Sequence, residues 1–225
     1  MNRNQTSVLT QTTESILATN KVLRNTYLLL SMAFLFSALM AYVSSAMHIR
    51  PIHPILFIAG SYGLIFLTSA LRNSPMGLLS VFGFTGFMGF ALGPILNLYV
   101  ANFSNGGQLI GTALGGTGLI FLTLSGYALT TRKDFSYLGG FLFAASMVAL
   151  LAMIAGIFFQ MPALQLMISA AFMLIASGSI LFQTSEIIHG GERNYIMATI
   201  SLFVSIYNLF ISLLNILSAF SSNRD

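Results

Sequence analysis

Polar side chains interrupt the last apolar stretch of the chain, between residues 195 and 220, at a regular spacing. The intervals are four, three, four and three residues, which place all of these side chains on one face of a helix. An amide that faced lipid tails would find no water to bond, so this face must contact protein or a wet cavity. Two interpretations stay open: hydrogen bonding between helices, which is common in membrane bundles, or the lining of a permeation path. The residues of this polar stripe are Ser201, Ser205, Asn208, Ser212 and Asn215.

Residue patterns that commonly carry catalysis are missing from the sequence. It contains no cysteine, no H-E-x-x-H motif and no G-x-S-x-G motif. Two of its three histidines, His48 and His53, lie five residues apart across Pro51, but no further metal ligand accompanies them. No Asp lies within an apolar stretch, which argues against an intramembrane acid pair. We therefore expect neither an enzyme nor a metal or cofactor site.

The composition is that of an integral membrane protein. Only 6% of the residues are charged, 56% are hydrophobic, and the mean hydropathy is +0.86. In soluble domains about a quarter of all residues are charged. The nine basic residues are scattered along the chain and form no patch, so a nucleic-acid partner is not expected. We therefore expect the surface of the protein to contact the lipid bilayer.

Seven apolar stretches are long enough to cross a bilayer as helices, and short segments with Pro, Gly, Asn or charged residues separate them. We predict an all-helical membrane domain over residues 21–220, with its last helix buried centrally among the others. Residues 1–20 are polar without an apolar period and predict a flexible cytosolic tail, and residues 221–225 predict a short C-terminal tail. The predicted spans are Thr26–Met47, Ile52–Leu71, Met76–Val100, Gln108–Thr131, Leu138–Phe159, Ala163–Ile188 and Tyr195–Phe220.

The distribution of Lys and Arg predicts the orientation of the chain. With seven spans, only Arg50 and Arg224 fall on the side of the C-terminus. The positive-inside rule then places the N-terminus in the cytoplasm and the C-terminus outside. The basic residues on the cytoplasmic side are Arg3, Lys21, Arg24, Arg72, Arg132, Lys133 and Arg193.

Several separated motifs resemble those of the Bax inhibitor-1 (TMBIM) family. They occur in the family's order and extend over the chain from about Lys21 to Phe220. The resemblance implies the Bax inhibitor-1 fold of seven membrane helices. The motifs are Gly89–Leu96, Leu109–Ala113, Thr117–Phe121, Arg132–Leu138 and Tyr207–Leu214.

Four further segments resemble a bacterial branch of that family whose members modulate the membrane protease FtsH. The resemblance implies a location in the bacterial cytoplasmic (inner) membrane, with a periplasmic C-terminus, and FtsH as the partner that the chain binds and restrains. FtsH pulls its substrates from an unstructured cytosolic end, so the predicted tail over residues 1–20 is the expected contact. These segments are Lys21–Tyr27, Gly93–Asn97, Ala128–Asp134 and Ile187–Glu192.

The resemblance also implies an alternative function, because some family members are pH-sensitive calcium leak channels. In those members two aspartates share a proton, and the matching positions here are Gln183 and Ser205. Neither residue can carry a negative charge, whereas calcium prefers carboxylate oxygens. Glu186 stands nearby in sequence, and we expect it at the cytosolic mouth of the bundle with Arg72 and Asp134. Calcium permeation is therefore the alternative, and the oligomeric state stays open.

Overall fold

A computed structural model describes residues 3–159 and 161–222, which form seven α-helices. All seven are long and apolar enough to cross a membrane, and each overlaps one of the seven predicted spans. The predicted fold class, an all-helical integral membrane protein, is confirmed. The helices are α1 (Arg3–Ala46), α2 (Pro54–Leu71), α3 (Met76–Asn102), α4 (Gly106–Thr131), α5 (Leu138–Phe158), α6 (Pro162–His189) and α7 (Tyr195–Ser222).

Helix α7 forms the centre of the bundle, as predicted. It contacts α1, α2, α3, α4 and α6, whereas α5 contacts only α6 within the described residues. Phe203 and Leu209 of α7 are completely buried. Outward-facing side chains of other helices are large and apolar, and Phe66 and Phe158 are 74% and 78% exposed. This exterior suits a lipid environment, in which apolar side chains need no protein cover.

Successive helices cross in opposite directions, so the loops alternate between two faces. The loops over residues 72–75, 132–137 and 190–194 lie on the face at which the apolar span of α1 begins. We call this the basic face, because it carries Arg72, Arg132, Lys133 and Arg193. The other three loops and the end of α7 lie on the opposite face.

Two glycines allow α1 and α3 to approach closely. A Cβ added at Gly89 would overlap the backbone carbonyl of Ser37, and one added at Gly93 would overlap the hydroxyl of Ser44. Such small residues are typical of close helix contacts in membranes. Gly111 and Gly115 of α4 are four residues apart, as Gly89 and Gly93 are, yet nothing lies within 4 Å of a Cβ built at either.

Helix α1 extends beyond the part of the chain that its apolar character predicts. The membrane span begins at Asn20, but the backbone is helical from Arg3. The backbone of residues 3–19 is helical, and the flexibility that the sequence predicts for residues 1–20 stays a prediction. A helix that is already nucleated can grow by one hydrogen bond per residue, without an apolar face to mark it in the sequence. Helix α7 likewise continues to Ser222, and residues 223–225 of the predicted C-terminal tail lie outside the described residues.

Candidate functional site

The polar stripe of α7 lies at the centre of the bundle, but its residues have different environments. Ser205 and Ser212 are buried, Ser201 and Asn215 are half-buried, and Asn208 is exposed. Asn208, Ser212 and Asn215 line a cavity, whereas Ser201 and Ser205 lie closer to the basic face. One predicted stripe thus contributes both to helix contacts and to a cavity wall.

The cavity beside α7, called the α7 cavity here, has a volume of about 940 Å³. Helices α2 and α3 form one wall and α5 and α6 the other. It extends from the opposite face, where Asn102 and Gln165 line it, to Asn208 near the middle of α7. Among residues 3–159 and 161–222, no Asp, Glu, Lys, Arg or His lines it. The polar residues that line it are Tyr62, Tyr99, Asn102, Gln165, Ser169, Asn208, Ser212, Asn215 and Ser218.

Gln183 and Ser205, which the sequence resemblance predicts to match the acid positions of the leak channels, are in direct contact. Gln183 Nε2 donates a hydrogen bond to Ser205 Oγ at 3.0 Å, and Ser205 Oγ donates to the Ser201 carbonyl at 3.1 Å. Gln183 Oε1 is buried and has no hydrogen-bond partner among the described residues. Ser205 precedes Asn208 by about one helical turn, on the side of the basic face. An uncharged pair therefore separates the α7 cavity from the basic face.

A second contact attaches α7 to α3 near the opposite face. Tyr99 Oη donates a short hydrogen bond to Asn215 Oδ1. Asn105, in the loop after α3, also exchanges hydrogen bonds with Ser221, at 3.1 and 3.2 Å. These partners are 116 residues apart in sequence, so no local pattern could have paired them.

The three residues predicted at the cytosolic mouth lie on the basic face, and each forms hydrogen bonds with a different partner. They are Arg72, Asp134 and Glu186. The Arg72 carbonyl accepts a hydrogen bond from Asn194 Nδ2 at 3.0 Å. Asp134 Oδ1 accepts from the backbone N–H of Ser136 at 2.8 Å. The Glu186 carbonyl accepts from the N–H groups of the two residues that follow Gly190, as α6 ends.

Hydrogen bonds from Ser136 hold the pKa of Asp134 below its usual value, and the bond from the Ser136 backbone has a larger effect than the bond from its side chain. A Coulombic interaction with His189 adds a smaller effect in the same direction. A lowered pKa means that this carboxylate supports its turn at neutral pH, and that the support is lost as the pH falls through the lowered value. Asp134 is therefore an ionised acceptor across the neutral range.

Two residues, His189 and Asn194, connect the loops of the basic face. The ring of His189 contacts the Arg132 carbonyl through Nε2 at 3.1 Å and the Ser185 carbonyl through Nδ1 at 2.9 Å. Asn194 donates to the Arg72 carbonyl, and its Oδ1 accepts from the N–H groups of Ile196 and Met197 at 3.0 and 3.2 Å. Asn194 thereby caps α7 and joins it to the loop before α3. The sequence offers a signal for the cap, an Asn just before an apolar run, but none for the loop contact.

No cluster in the described part of the chain could bind a metal through three or more His, Asp, Glu or Cys side chains. The polar groups of the α7 cavity are amides and hydroxyls, which donate and accept hydrogen bonds. The arrangement is suited to binding and helix packing.

Comparison with known proteins finds matches along nearly the whole chain. The model of the family described as "Inhibitor of apoptosis-promoting Bax1" matches residues 19–222. A protein of Escherichia coli K12 named "Modulator of FtsH protease YccA" is 56% identical over 203 residues, which are 90% of this chain and 92% of that protein. The same match in another Escherichia coli strain is named "Inner membrane protein YccA".

Relatives in other bacteria cover the chain to a similar extent. An uncharacterized protein of Pseudomonas aeruginosa is 58% identical over 195 residues, 87% of each chain. An uncharacterized membrane protein of Vibrio cholerae is 46% identical over 215 residues, 95% of this chain and 96% of that protein. None of these names describes a catalytic activity.

Proposed function

Because the chain belongs to the Bax inhibitor-1 family, we propose that it is a bacterial inner-membrane protein that binds the FtsH protease and restrains it. The family that the sequence motifs resemble is confirmed, and so is the closeness to the YccA branch. The observation that carries the proposal is the 56% identity, over 90% of this chain, to a protein named as a modulator of FtsH. The multi-pass architecture is consistent with a partner that is itself anchored in the membrane.

The N-terminal part of α1 is the proposed contact with FtsH. It extends from Arg3 to the start of the span at Asn20, which corresponds to about 26 Å of helix outside the apolar region. An isolated helix of this length is marginally stable in water, so a protease can unwind it from its end. The Lys and Arg distribution supports a cytoplasmic position for this segment, on the same side as the basic face.

Co-purification tests the proposal directly. The full chain with a C-terminal affinity tag should retain FtsH from solubilised membranes, and a variant without residues 1–20 should retain much less. A variant in which a Gly/Ser segment of equal length replaces residues 1–20 controls for length alone. Equal retention by all three forms would refute the N-terminal contact, and no retention by the full chain would refute the partnership.

A calcium leak is the second candidate function, and one observation favours it. The α7 cavity extends from the opposite face to Asn208, so a path already crosses about half of the bundle. The Gln183–Ser205 pair opposes it, because two uncharged side chains stand where the leak channels have acids. A hard divalent cation would find no carboxylate there. Modulation of FtsH is therefore the function we favour.

A further inference from the structure

Asn208 places a polar group at the middle of the membrane without a protein partner. It is the fourteenth residue of the 28-residue helix α7, and its carboxamide makes no hydrogen bond within residues 3–159 and 161–222. The side chain is exposed to the α7 cavity. An unpaired amide is costly in hydrocarbon, so a molecule that forms hydrogen bonds must lie beside it.

The charge of the lining restricts that molecule. Within the part of the chain that the structure describes, the residues that line the α7 cavity supply amides and hydroxyls but include no Asp, Glu, Lys, Arg or His. A charged group that left water for this site would find no opposite charge to compensate its desolvation. The site therefore selects an uncharged ligand.

The walls of the α7 cavity indicate that part of the ligand is apolar. Phe57 of α2 and Leu150, Met153 and Phe172 of α5 and α6 line it, facing the amides of α7 and α3. If water alone filled the α7 cavity, these apolar side chains would remain in contact with water, which is unfavourable. A ligand with a hydrogen-bonding group and a hydrocarbon chain would satisfy both kinds of surface, and a volume of about 940 Å³ accommodates much of such a molecule.

The arrangement of the helices leaves a side entrance from the bilayer. Within the described residues, α2 contacts only α3 and α7, and α5 contacts only α6. Helices α2 and α5 both line the α7 cavity but do not contact each other in the described part of the chain, and we infer that the cavity opens to the bilayer between them. A ligand dissolved in the membrane can reach Asn208 without crossing the aqueous phase.

We propose that the α7 cavity is a binding site for an uncharged membrane amphiphile, a molecule with hydroxyl or carbonyl groups on an acyl-type chain. The ligand enters between α2 and α5, and its polar group forms hydrogen bonds with Asn208 and Ser212. The hydrocarbon chain contacts the apolar walls. This site does not depend on FtsH, so it can be tested in the purified protein.

The chain contains no Trp, which allows a single fluorescent reporter to be introduced. Phe172→Trp places it in the α7 cavity, and Tyr62→Trp does so from the opposite wall. Leu174→Trp, at a position of α6 that is 69% exposed, reports contact with bulk lipid. Each variant is reconstituted into phosphatidylcholine vesicles with increasing amounts of a diacylglycerol whose acyl chains carry bromine, a quencher of Trp fluorescence.

We expect half-maximal quenching of the two cavity reporters at about fivefold less brominated diacylglycerol than for Leu174→Trp, roughly the effect of one hydrogen bond. Adding Asn208→Leu or Ser212→Ala to Phe172→Trp should reduce this preference of the cavity for the brominated diacylglycerol over bulk lipid. Adding Asn208→Ser instead should retain part of the preference. Brominated phosphatidylglycerol, which is charged, should quench all reporters alike.

Three results would overturn the proposal. Identical quenching curves for the cavity reporters and Leu174→Trp would mean that the α7 cavity does not select the amphiphile. Strong quenching of Phe172→Trp by water-soluble acrylamide, unchanged by the diacylglycerol, would identify a water-filled vestibule instead. A preference unaffected by either Asn208→Leu or Ser212→Ala would also contradict it.

Discussion

Gln183 of α6 and Ser205 of α7 are joined by a hydrogen bond of 3.0 Å between two groups that do not titrate. The resemblance of the surrounding motifs predicts that the pair matches the two aspartates of the leak-channel members of the family. Two carboxylates at that distance would share a proton, and one pKa of the pair would rise. In this chain, α6 and α7 are joined here by a hydrogen bond that involves no titratable group.

Acids at positions 183 and 205 should make the calcium flux through the protein depend on pH. Gln183→Asp combined with Ser205→Asp creates a carboxylate pair, so calcium flux into liposomes should vary between about pH 6 and pH 8, the range of a raised carboxyl pKa. The unmodified protein should pass little calcium, with weak pH dependence. The control is Gln183→Asn with Ser205→Asn, which changes size without charge. A strong, acid-sensitive flux in the unmodified protein would favour the leak channel over the protease modulator.

Glycines with similar spacing should respond differently to alanine. Gly93→Ala puts a methyl group against Ser44 of α1, and overpacking of this kind costs about 1–3 kcal/mol, so the melting temperature in detergent should fall. Gly111→Ala meets no atom within 4 Å and should leave stability unchanged or slightly raised, because Ala favours helix more than Gly. Similar losses in both variants in a thermal-shift assay would disprove the assigned α1–α3 contact.

The two asparagines of the polar stripe should also differ. Asn215→Leu removes the acceptor of Tyr99 Oη, and hydrogen bonds between membrane helices are worth about 0.6 kcal/mol on average and at most about 1.7 kcal/mol. A modest fall in thermal stability is expected. Asn208→Leu breaks no hydrogen bond within the described residues and should not destabilise the protein. Tyr99→Phe combined with Asn215→Leu should add little to Asn215→Leu alone, and additive losses would argue against their bond.

Asn194 has two roles that substitutions can separate. Asn194→Ala removes the cap of α7 and should cost about 1 kcal/mol, with faster hydrogen exchange at Ile196 and Met197. Asn194→Asp keeps an oxygen for those N–H groups but loses the donor to the Arg72 carbonyl, so only the loop over residues 72–75 should exchange faster. Equal effects of the two variants on the start of α7 would refute the capping role.

The number and the ends of the spans could be predicted because hydropathy and turn residues are local signals. The fifth span, for example, was predicted over Leu138–Phe159 and ends at Phe158 in the structure. Pro162 and Gly190 limit α6 at positions that their backbone preferences indicate, since Pro begins the helix and Gly190 adopts a φ of 75° at its end.

Contacts between distant segments could not be predicted in this way. Asn208 and Asn215 have the same side chain on the same helical face, and their different environments depend on which helices cover α7. Tyr99 lies 116 residues from Asn215, and no pattern in either segment indicates the other. Gly93 and Gly111 likewise have similar local spacing, but only Gly93 meets a neighbouring helix. Their environments follow from the order of the helices around α7.

The central claim, restraint of FtsH through binding, is tested most directly by the rate at which FtsH degrades a membrane substrate in liposomes. Addition of the full chain at a molar ratio near one should slow the loss of the substrate, and the form without residues 1–20 should slow it less. The Gly/Ser replacement of residues 1–20 should behave like the truncated form. An unchanged degradation rate in the presence of the full chain, under conditions in which both proteins are in the same vesicles, would contradict the account.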